Sequence, residues 1–244
     1  MSGGGLKMYF ADIHCHALAG VDDGAADDGE MFAMIDAAYA DHVRLLCFTP
    51  HWQPSAFGDN RQKAADAFRR ATDYVAFKRY DLRLFLANEL RSDRGDVSWL
   101  ADRLCKTLGG GRSVLVDFSS AESVKNISDG VYRLLGAGYR PVLAHAERCS
   151  AFGFSIDRLR GLRSDGVMLQ IDAGSLLGRL GLGCRIRSRA LLEAQLVDIA
   201  ASDAHNTSNR PTELTEAFGF VEKKYGRSCA DTIFRKNPEA LLKS

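Results

Sequence analysis

Short apolar runs alternate with longer amphipathic stretches along the whole chain. The apolar runs are Met8–Ala11, Val43–Phe48, Leu82–Leu86, Val114–Val116, Pro141–Ala144, Val167–Ile171 and Val197–Ala200. They are rich in aliphatic and aromatic side chains and predict seven strands. Between them the spacing of apolar positions predicts helices over about 28–41, 61–79, 97–107, 121–138, 155–164 and 185–195. A last pair, over about 209–226 and 228–243, closes the chain. Asp27 or Asp28, Asp96, and Ser119 or Ser120 are candidate N-caps.

Strands each followed by a helix, with no Pro/Ser-rich linker or charge block between them, predict one continuous α/β domain. An open doubly wound sheet would carry a glycine-rich phosphate loop after its first strand, but the chain reads His14-Cys15-His16 there. A closed TIM-like barrel is favoured, because polar residues follow nearly every strand, where such barrels build their sites. Gly109-Gly110-Gly111 precedes a strand and reads as a flexible turn. Residues 1–8 read as an N-terminal extension or expression remnant, and residues 9–244 as the barrel.

Composition narrows the function classes. The 244 residues carry 32 basic and 31 acidic side chains, and this balance argues against broad electrostatic binding to nucleic acid. No stretch approaches the ~18–20 apolar residues of a membrane span, and no apolar signal region opens the chain. Six scattered cysteines without a C-x-x-C pair favour a reducing, cytoplasmic setting over a disulfide framework.

The six histidines change the picture. All but His42 fall directly after a predicted strand. Strand one ends Asp12-Ile13-His14-Cys15-His16, followed by Asp22-Asp23-Gly24. The next strand ends are Thr49-Pro50-His51, Asn88-Glu89, Asp117, His145-Ala146-Glu147-Arg148 and Ser202-Asp203-Ala204-His205. Alternate side chains of an extended segment share a face, so His14 with His16, and Asp203 with His205, can address one cation. His14, His16, Asp23, His51, Glu89, Asp117, His145, Asp203 and His205 make nine candidate ligands. One tetrahedral ion needs four, so the set suits two or three divalent ions.

Other residues carry blander readings beside functional ones. His42 reads as a helix-end residue, Asp22 as a loop cap with Asp23 the ligand, and Glu147 as a loop-fixing residue. Asp12 is expected to orient an imidazole. Trp52 and Phe118 read as core, with substrate stacking as the second reading. Arg148 and Arg210 stand three and five residues after His145 and His205. Arginines beside a cation cluster call for an anion between them, and phosphate suits the bidentate guanidinium. Arg91 is a weaker third candidate. Cys229 and Arg235 match the spacing of a cysteine-phosphatase loop, but the intervening residues predict a helix and contain no glycine.

In this order the motifs, with Asp172-Ala173-Gly174-Ser175-Leu176-Leu177-Gly178, resemble the polymerase-and-histidinol-phosphatase (PHP) superfamily. Within it the chain is similar to the manganese-dependent bacterial tyrosine phosphatases of capsular and exopolysaccharide operons. The resemblance implies a distorted (β/α)7 TIM-like barrel and a trinuclear centre on the nine ligands, with Mn²⁺ ahead of Fe, Zn, Co or Mg. It implies catalytic roles for Arg148, Arg210, Asp203 and His205. It also implies a tyrosine-phosphorylated substrate protein, a membrane-associated tyrosine kinase, acted on without membrane insertion. The chain departs from the pattern at Asp117, where the family usually has glutamate, and at Ala146 and Ser119, where it usually has proline.

The reading is then a metal-dependent phosphomonoesterase in which a metal-bound hydroxide attacks phosphotyrosine. A PHP enzyme for histidinol phosphate or another small phosphoester keeps the site and changes the substrate. An amidohydrolase is a third enzyme reading, and a phosphopeptide-binding barrel without turnover is the non-enzyme reading.

Overall fold

A computed structural model of the chain describes residues 8–92, 96–119, 122–149 and 155–243. All of the expected extension except Met8, and Ser120 of the candidate caps, lie outside these residues.

All seven expected strands form, and all pair in parallel. Two of them are followed, after a break, by a short further strand, so the described residues hold nine strands. β1 is Phe10–Asp12 and β2 is Val43–Phe48; Pro50, which has no N–H to give a ladder, then breaks the run before β3, His51–Trp52. β4, Arg83–Leu86, is cut from β5, Glu89–Arg91, at Ala87-Asn88. Asn88 donates to the Pro50 carbonyl at 3.0 Å and accepts the Lys106 N–H at 2.9 Å, so it links the two breaks. β6 is Ser113–Asp117, β7 Arg140–Leu143, β8 Met168–Asp172 and β9 Ile199–Ala201.

The ladders run β1-β2-β4 and β3-β5-β6-β7-β8-β9, and the chain itself joins the two sets at both breaks. The outer edges meet beyond the strands. Asp203 N–H donates to the His14 carbonyl at 2.9 Å and His16 N–H to the Ala204 carbonyl at 2.8 Å, around a parallel bridge from Cys15 to Ala204. Inside this ring lies an apolar cluster that includes Ala11, Ile13, Leu45, Cys47, Leu115, Val142, Ala144, Ile199 and Ala201.

The helices are α1 Asp28–Ala40, α2 Pro54–Phe57, α3 Arg61–Lys78, α4 Asp96–Ala101, α5 Val124–Gly136, α6 Ile156–Ser164, α7 Ala173–Leu177, α8 Leu182–Glu193, α9 Leu214–Tyr225, α10 Arg227–Asp231 and α11 Asn237–Leu242. Asp27 caps α1 through the Glu30 N–H at 2.9 Å. Asp96 is instead the first residue of α4, and α5 is capped by Ser123, which accepts the Asn126 N–H. The expected helix over 228–243 forms with a wide turn at Thr232–Lys236, ahead of Pro238, whose missing N–H interrupts the regular ladder.

These last helices cover both the side and the base of the ring. Phe218 of α9 and Phe234 pack on Phe10 of β1, with ring centroids 5.3 and 6.1 Å away. Leu241 and Leu242 of α11 join Leu108 in the inner cluster, at the end opposite the histidines. Gly109 has a left-handed backbone (φ 62°), and a Cβ there would come within 2.4 Å of the Leu241 carbonyl. Gly109 therefore fits closely under the barrel floor, whereas a Cβ at Gly110 would meet nothing within 4 Å.

Candidate metal centre

The register of the strands brings the site together. His51 of β3 pairs with Glu89 of β5, and Arg91 with Asp117 of β6, so each pair shares a face at adjacent positions. The edge hydrogen bonds at His14, His16, Asp203 and Ala204 bring the two flanking His/Asp segments beside them. His145 and Asp203 both hold left-handed backbones, φ 33° and 51°. For non-glycine residues that costs on the order of 1–3 kcal/mol, and here it turns both side chains into the cluster.

The result is one cluster of all nine candidate ligands. Glu89 is at its centre, 1% exposed: Oε1 lies 2.9 Å from His145 Nε2 and 3.5 Å from His14 Nε2, and Oε2 lies 2.8 Å from His51 Nδ1 and 3.4 Å from His16 Nε2. Asp203 Oδ1 is 3.3 and 3.5 Å from His14 and His16 Nε2. Asp117 Oδ1 is 3.7 Å from His145 Nε2. Asp23 Oδ1 is 3.3 Å from His51 Nε2 and 3.6 Å from His205 Nε2.

These separations match the spacing between ligands around one divalent ion, where metal–ligand bonds are about 2.0–2.2 Å. Four overlapping groups have ligand atoms within 4.8 Å of one another: His16 with Asp23, His51 and His205; His14 with His16 and Glu89; His14 with His145 and Asp203; Glu89 with Asp117 and His145.

The hydrogen bonds set the tautomers. His14 Nδ1–H donates to Gln170 Oε1 at 3.1 Å, His16 Nδ1–H to Asp22 Oδ2 at 2.7 Å, and His205 Nδ1–H to the Asp203 carbonyl at 2.9 Å. Each ring then presents Nε2 to the cluster. The Nε2 atoms of His14 and His16 face one another at 3.1 Å, an arrangement that requires a proton or a cation close to them. His51 Nδ1 and Glu89 Oε2 are buried, 2.8 Å apart, and make no hydrogen bond. Orphaned polar atoms of both kinds, in a set of imidazoles and carboxylates, fit divalent cations.

Without a metal, protons take that place. Burial alone would lower the imidazole pKa values, but the Asp203 and Glu89 carboxylates push His14 up to about 10. Against the same burial, Glu89 and Asp23 raise His51 to about 11, and Asp117 and Glu89 raise His145 to about 9. Burial, with His16 and Arg210 nearby, lowers His205. Burial also opposes charge on Glu89, yet His14 and His51 hold it well below the usual carboxylate range.

These shifts give the metal-free protein a pH dependence. An imidazole whose pKa is raised above its unfolded value of about 6.5 stabilises the fold fully below that pH. The contribution is lost as pH climbs through the folded values of about 9 to 11. The chelator-treated protein should therefore melt at a lower temperature at about pH 9 than at about pH 6. Added Mn²⁺ should give a melting increment that grows over the same range, because ligands must lose protons to bind it. Scanning fluorimetry at both pH values checks this, and an increment that shrinks with rising pH would contradict it.

Above the ligands lies a cavity of about 210 Å³ lined by Asp23, His51, Glu89, Asp117, His145 and Asp203, with Arg91, Phe118, Arg148 and Arg210. Arg148 Nη1 is 2.9 Å from Asp203 Oδ2 and 3.4 Å from Asp172 Oδ2, and Arg210 Nη2 contacts the same Asp203 oxygen. Asn206 fixes the Arg210 loop, its Oδ1 accepting the N–H groups of Ser208, Asn209 and Arg210.

Several expectations need correction. Asp12 holds backbone rather than an imidazole: its Oδ1 accepts the N–H groups of His14 at 3.3 Å and Ser202 at 3.1 Å. Glu147, by contrast, is loop-fixing as read: it is fully buried, outside the cavity lining, and accepts the Asp172 N–H at 3.1 Å, while burial and Asp172 push its carboxyl up to about 8. Trp52 is core as read, packing edge-on to Trp99, whereas Phe118 lines the cavity, in line with its second reading. Asp22 does more than cap its loop, since it holds both His16 and the His51 N–H, the latter at 2.9 Å. His42 is an exposed helix-end residue, and Cys229 lies on a helix, as read.

Gln170, which accepts from His14 Nδ1 and from the His145 N–H, was absent from the expected set. A lone polar residue inside the apolar run Val167–Ile171 was the available signal.

Residues 10–243 match the family described as "Capsular polysaccharide synthesis, CpsB/CapC". The chain belongs to this family. Tyrosine-protein phosphatase CpsB of Streptococcus pneumoniae is 30% identical over 236 residues, covering 95% of this chain and 97% of that protein. A solved structure from the pair YwqE of Bacillus subtilis and CpsB of S. pneumoniae, described as unique metal-dependent tyrosine phosphatases, superposes with a TM-score of 0.88 at 30% identity. It covers 96% of this chain and 94% of its own. A phosphotriesterase homology protein from Escherichia coli shares the fold, with a TM-score of 0.60 at 14% identity over 96% of this chain and 98% of its own. This CpsB/CapC chain thus shares the parallel α/β fold of both solved structures.

Proposed function

We propose that this CpsB/CapC chain is a metal-dependent protein-tyrosine phosphatase that serves polysaccharide synthesis. The observation that carries the reading is the pairing of nine convergent ligands with arginines at one cavity. The names of its relatives support the same reading.

His14, His16, Glu89 and Asp203, then Glu89, Asp117 and His145, then Asp23, His51 and His205, would hold two to three cations, Mn²⁺ in our reading. When bound, such ions polarise phosphoryl oxygens and lower the pKa of water toward ~7. The chain's own residues do the rest. Arg148 and Arg210 each lean on Asp203 Oδ2 and line the cavity, and their remaining N–H groups can meet phosphoryl oxygens there. As charge builds on the phosphoryl group, these two arginines stabilise it without reorganising. Asp203 anchors them from below, and its carbonyl holds the His205 tautomer. Phe118 lines one wall and offers an apolar surface to the tyrosine ring.

The substrate is a tyrosine-phosphorylated protein, and a membrane-associated tyrosine kinase is the expected partner. Among the described residues no helix is long and apolar enough to cross a membrane. All six cysteines are free, which suits the cytoplasm.

Turnover of p-nitrophenyl phosphate should fall at least about 10²-fold on chelation and return with Mn²⁺. A phosphotyrosyl peptide should be preferred to histidinol phosphate. Undiminished turnover by the metal-stripped protein would end this reading.

A further inference from the structure

We infer that Arg91 is a third phosphate-binding guanidinium, facing Arg148 and Arg210 across the cavity, and that it selects phosphomonoesters over diesters. The inference rests on the phosphatase reading above and adds a residue that reading does not use.

The geometry repeats itself at two places. Asp203 turns Oδ1 toward His14 and His16, and gives Oδ2 to Arg148 and Arg210. Asp117 likewise turns Oδ1 toward His145, and gives Oδ2 to Arg91 Nη2 at 2.8 Å. In both cases a candidate metal ligand keeps one oxygen for the cluster while a guanidinium of the same cavity occupies the other. The exposure is alike too: 28% for the Arg91 side chain, 26% for Arg210 and 38% for Arg148. The Nε of Arg91 is buried without a partner, so the protein leaves this guanidinium less satisfied than a purely structural one.

Position follows from topology. Arg91 ends β5 and stands beside Asp117 in register, whereas Arg148 and Arg210 follow β7 and β9. The three therefore approach a bound group from two sides. A monoester presents three non-bridging oxygens and up to two negative charges. A diester presents two such oxygens and one charge, which leaves one of the three guanidinium groups unmatched and desolvated.

The test uses the full-length, Mn²⁺-loaded protein and its Arg91→Gln and Arg91→Lys variants. Measured are the inhibition constant of inorganic phosphate, Mn²⁺ per chain, and kcat/KM for p-nitrophenyl phosphate and bis(p-nitrophenyl) phosphate. Arg91→Gln should weaken phosphate inhibition at least tenfold and lower the monoester-to-diester ratio of kcat/KM at least tenfold, with Mn²⁺ content unchanged. Arg91→Lys, which keeps the charge, should recover part of both. Unchanged phosphate inhibition, or a loss explained by lost Mn²⁺, would overturn the inference and leave the phosphatase reading standing. A wild-type protein that hydrolyses neither ester would overturn both.

Discussion

Glu89→Gln should cut turnover of p-nitrophenyl phosphate by at least about 10²-fold and leave the purified protein short of metal. The substitution keeps the shape of the side chain and removes its charge. Glu89 approaches four imidazoles, with Oε1 2.9 Å from His145 and Oε2 2.8 Å from His51 as the closest contacts. An amide there turns two N–H donors toward nitrogen atoms that must present lone pairs to a cation. It also strips the neighbouring histidines of the carboxylate that raises their pKa values. Elemental analysis of protein purified without chelator, run beside the assay, checks both halves. Full metal content with full turnover would contradict the central role of Glu89.

Gly24→Ala should do comparable damage from outside the ligand set. A Cβ at Gly24 would lie 1.7 Å from the His16 carbonyl oxygen and 2.7 Å from its carbon. Backbone cannot yield as a flexible side chain does, so the 22–24 loop must move. That loop carries Asp22, which holds the His16 ring and the His51 N–H, and Asp23, which faces His51 and His205. Overpacking of this kind costs roughly 1–3 kcal/mol, or about 2–12 °C in melting temperature for a domain of this size. Turnover should fall more than about tenfold, since the shift reaches residues that act by position. Gly136→Ala serves as the control, because a Cβ there meets nothing within 4 Å inside helix α5. Equal melting temperatures for the two variants would count against the close approach at Gly24.

Much of the site was legible because its residues announce themselves locally. His14-x-His16 and Asp203-x-His205 put two ligands on one face of an extended segment whatever the rest of the chain does. Glu89 and Asp117 stand where apolar runs end, and a carboxylate in that position has few structural uses. What escaped notice depends on neighbours far along the chain. Gln170 matters because it meets His14 and His145, 156 and 25 residues away. Glu147 was legible as a loop-fixing residue, but its partner, the Asp172 N–H, was not, because it lies 25 residues further along the chain. The strand breaks at Pro50 and Asn88 were equally hidden, since Asn88 links them only after both segments have folded side by side.

The floor of the barrel carries a consequence for how the protein is made. Leu241 and Leu242 belong to the same inner cluster as Ala11 and Ile13, and the ring itself is joined between His14–His16 and Asp203–Ala204. The interior therefore cannot be enclosed until Leu241 and Leu242 have folded back onto residues near the start of the first strand. His14 meets the Ser202 hydroxyl only once the chain has been made 188 positions further, so the first histidine pair waits for a distant partner. Removing Leu241 and Leu242 from α11 would uncork the barrel from below while every ligand stayed in the sequence.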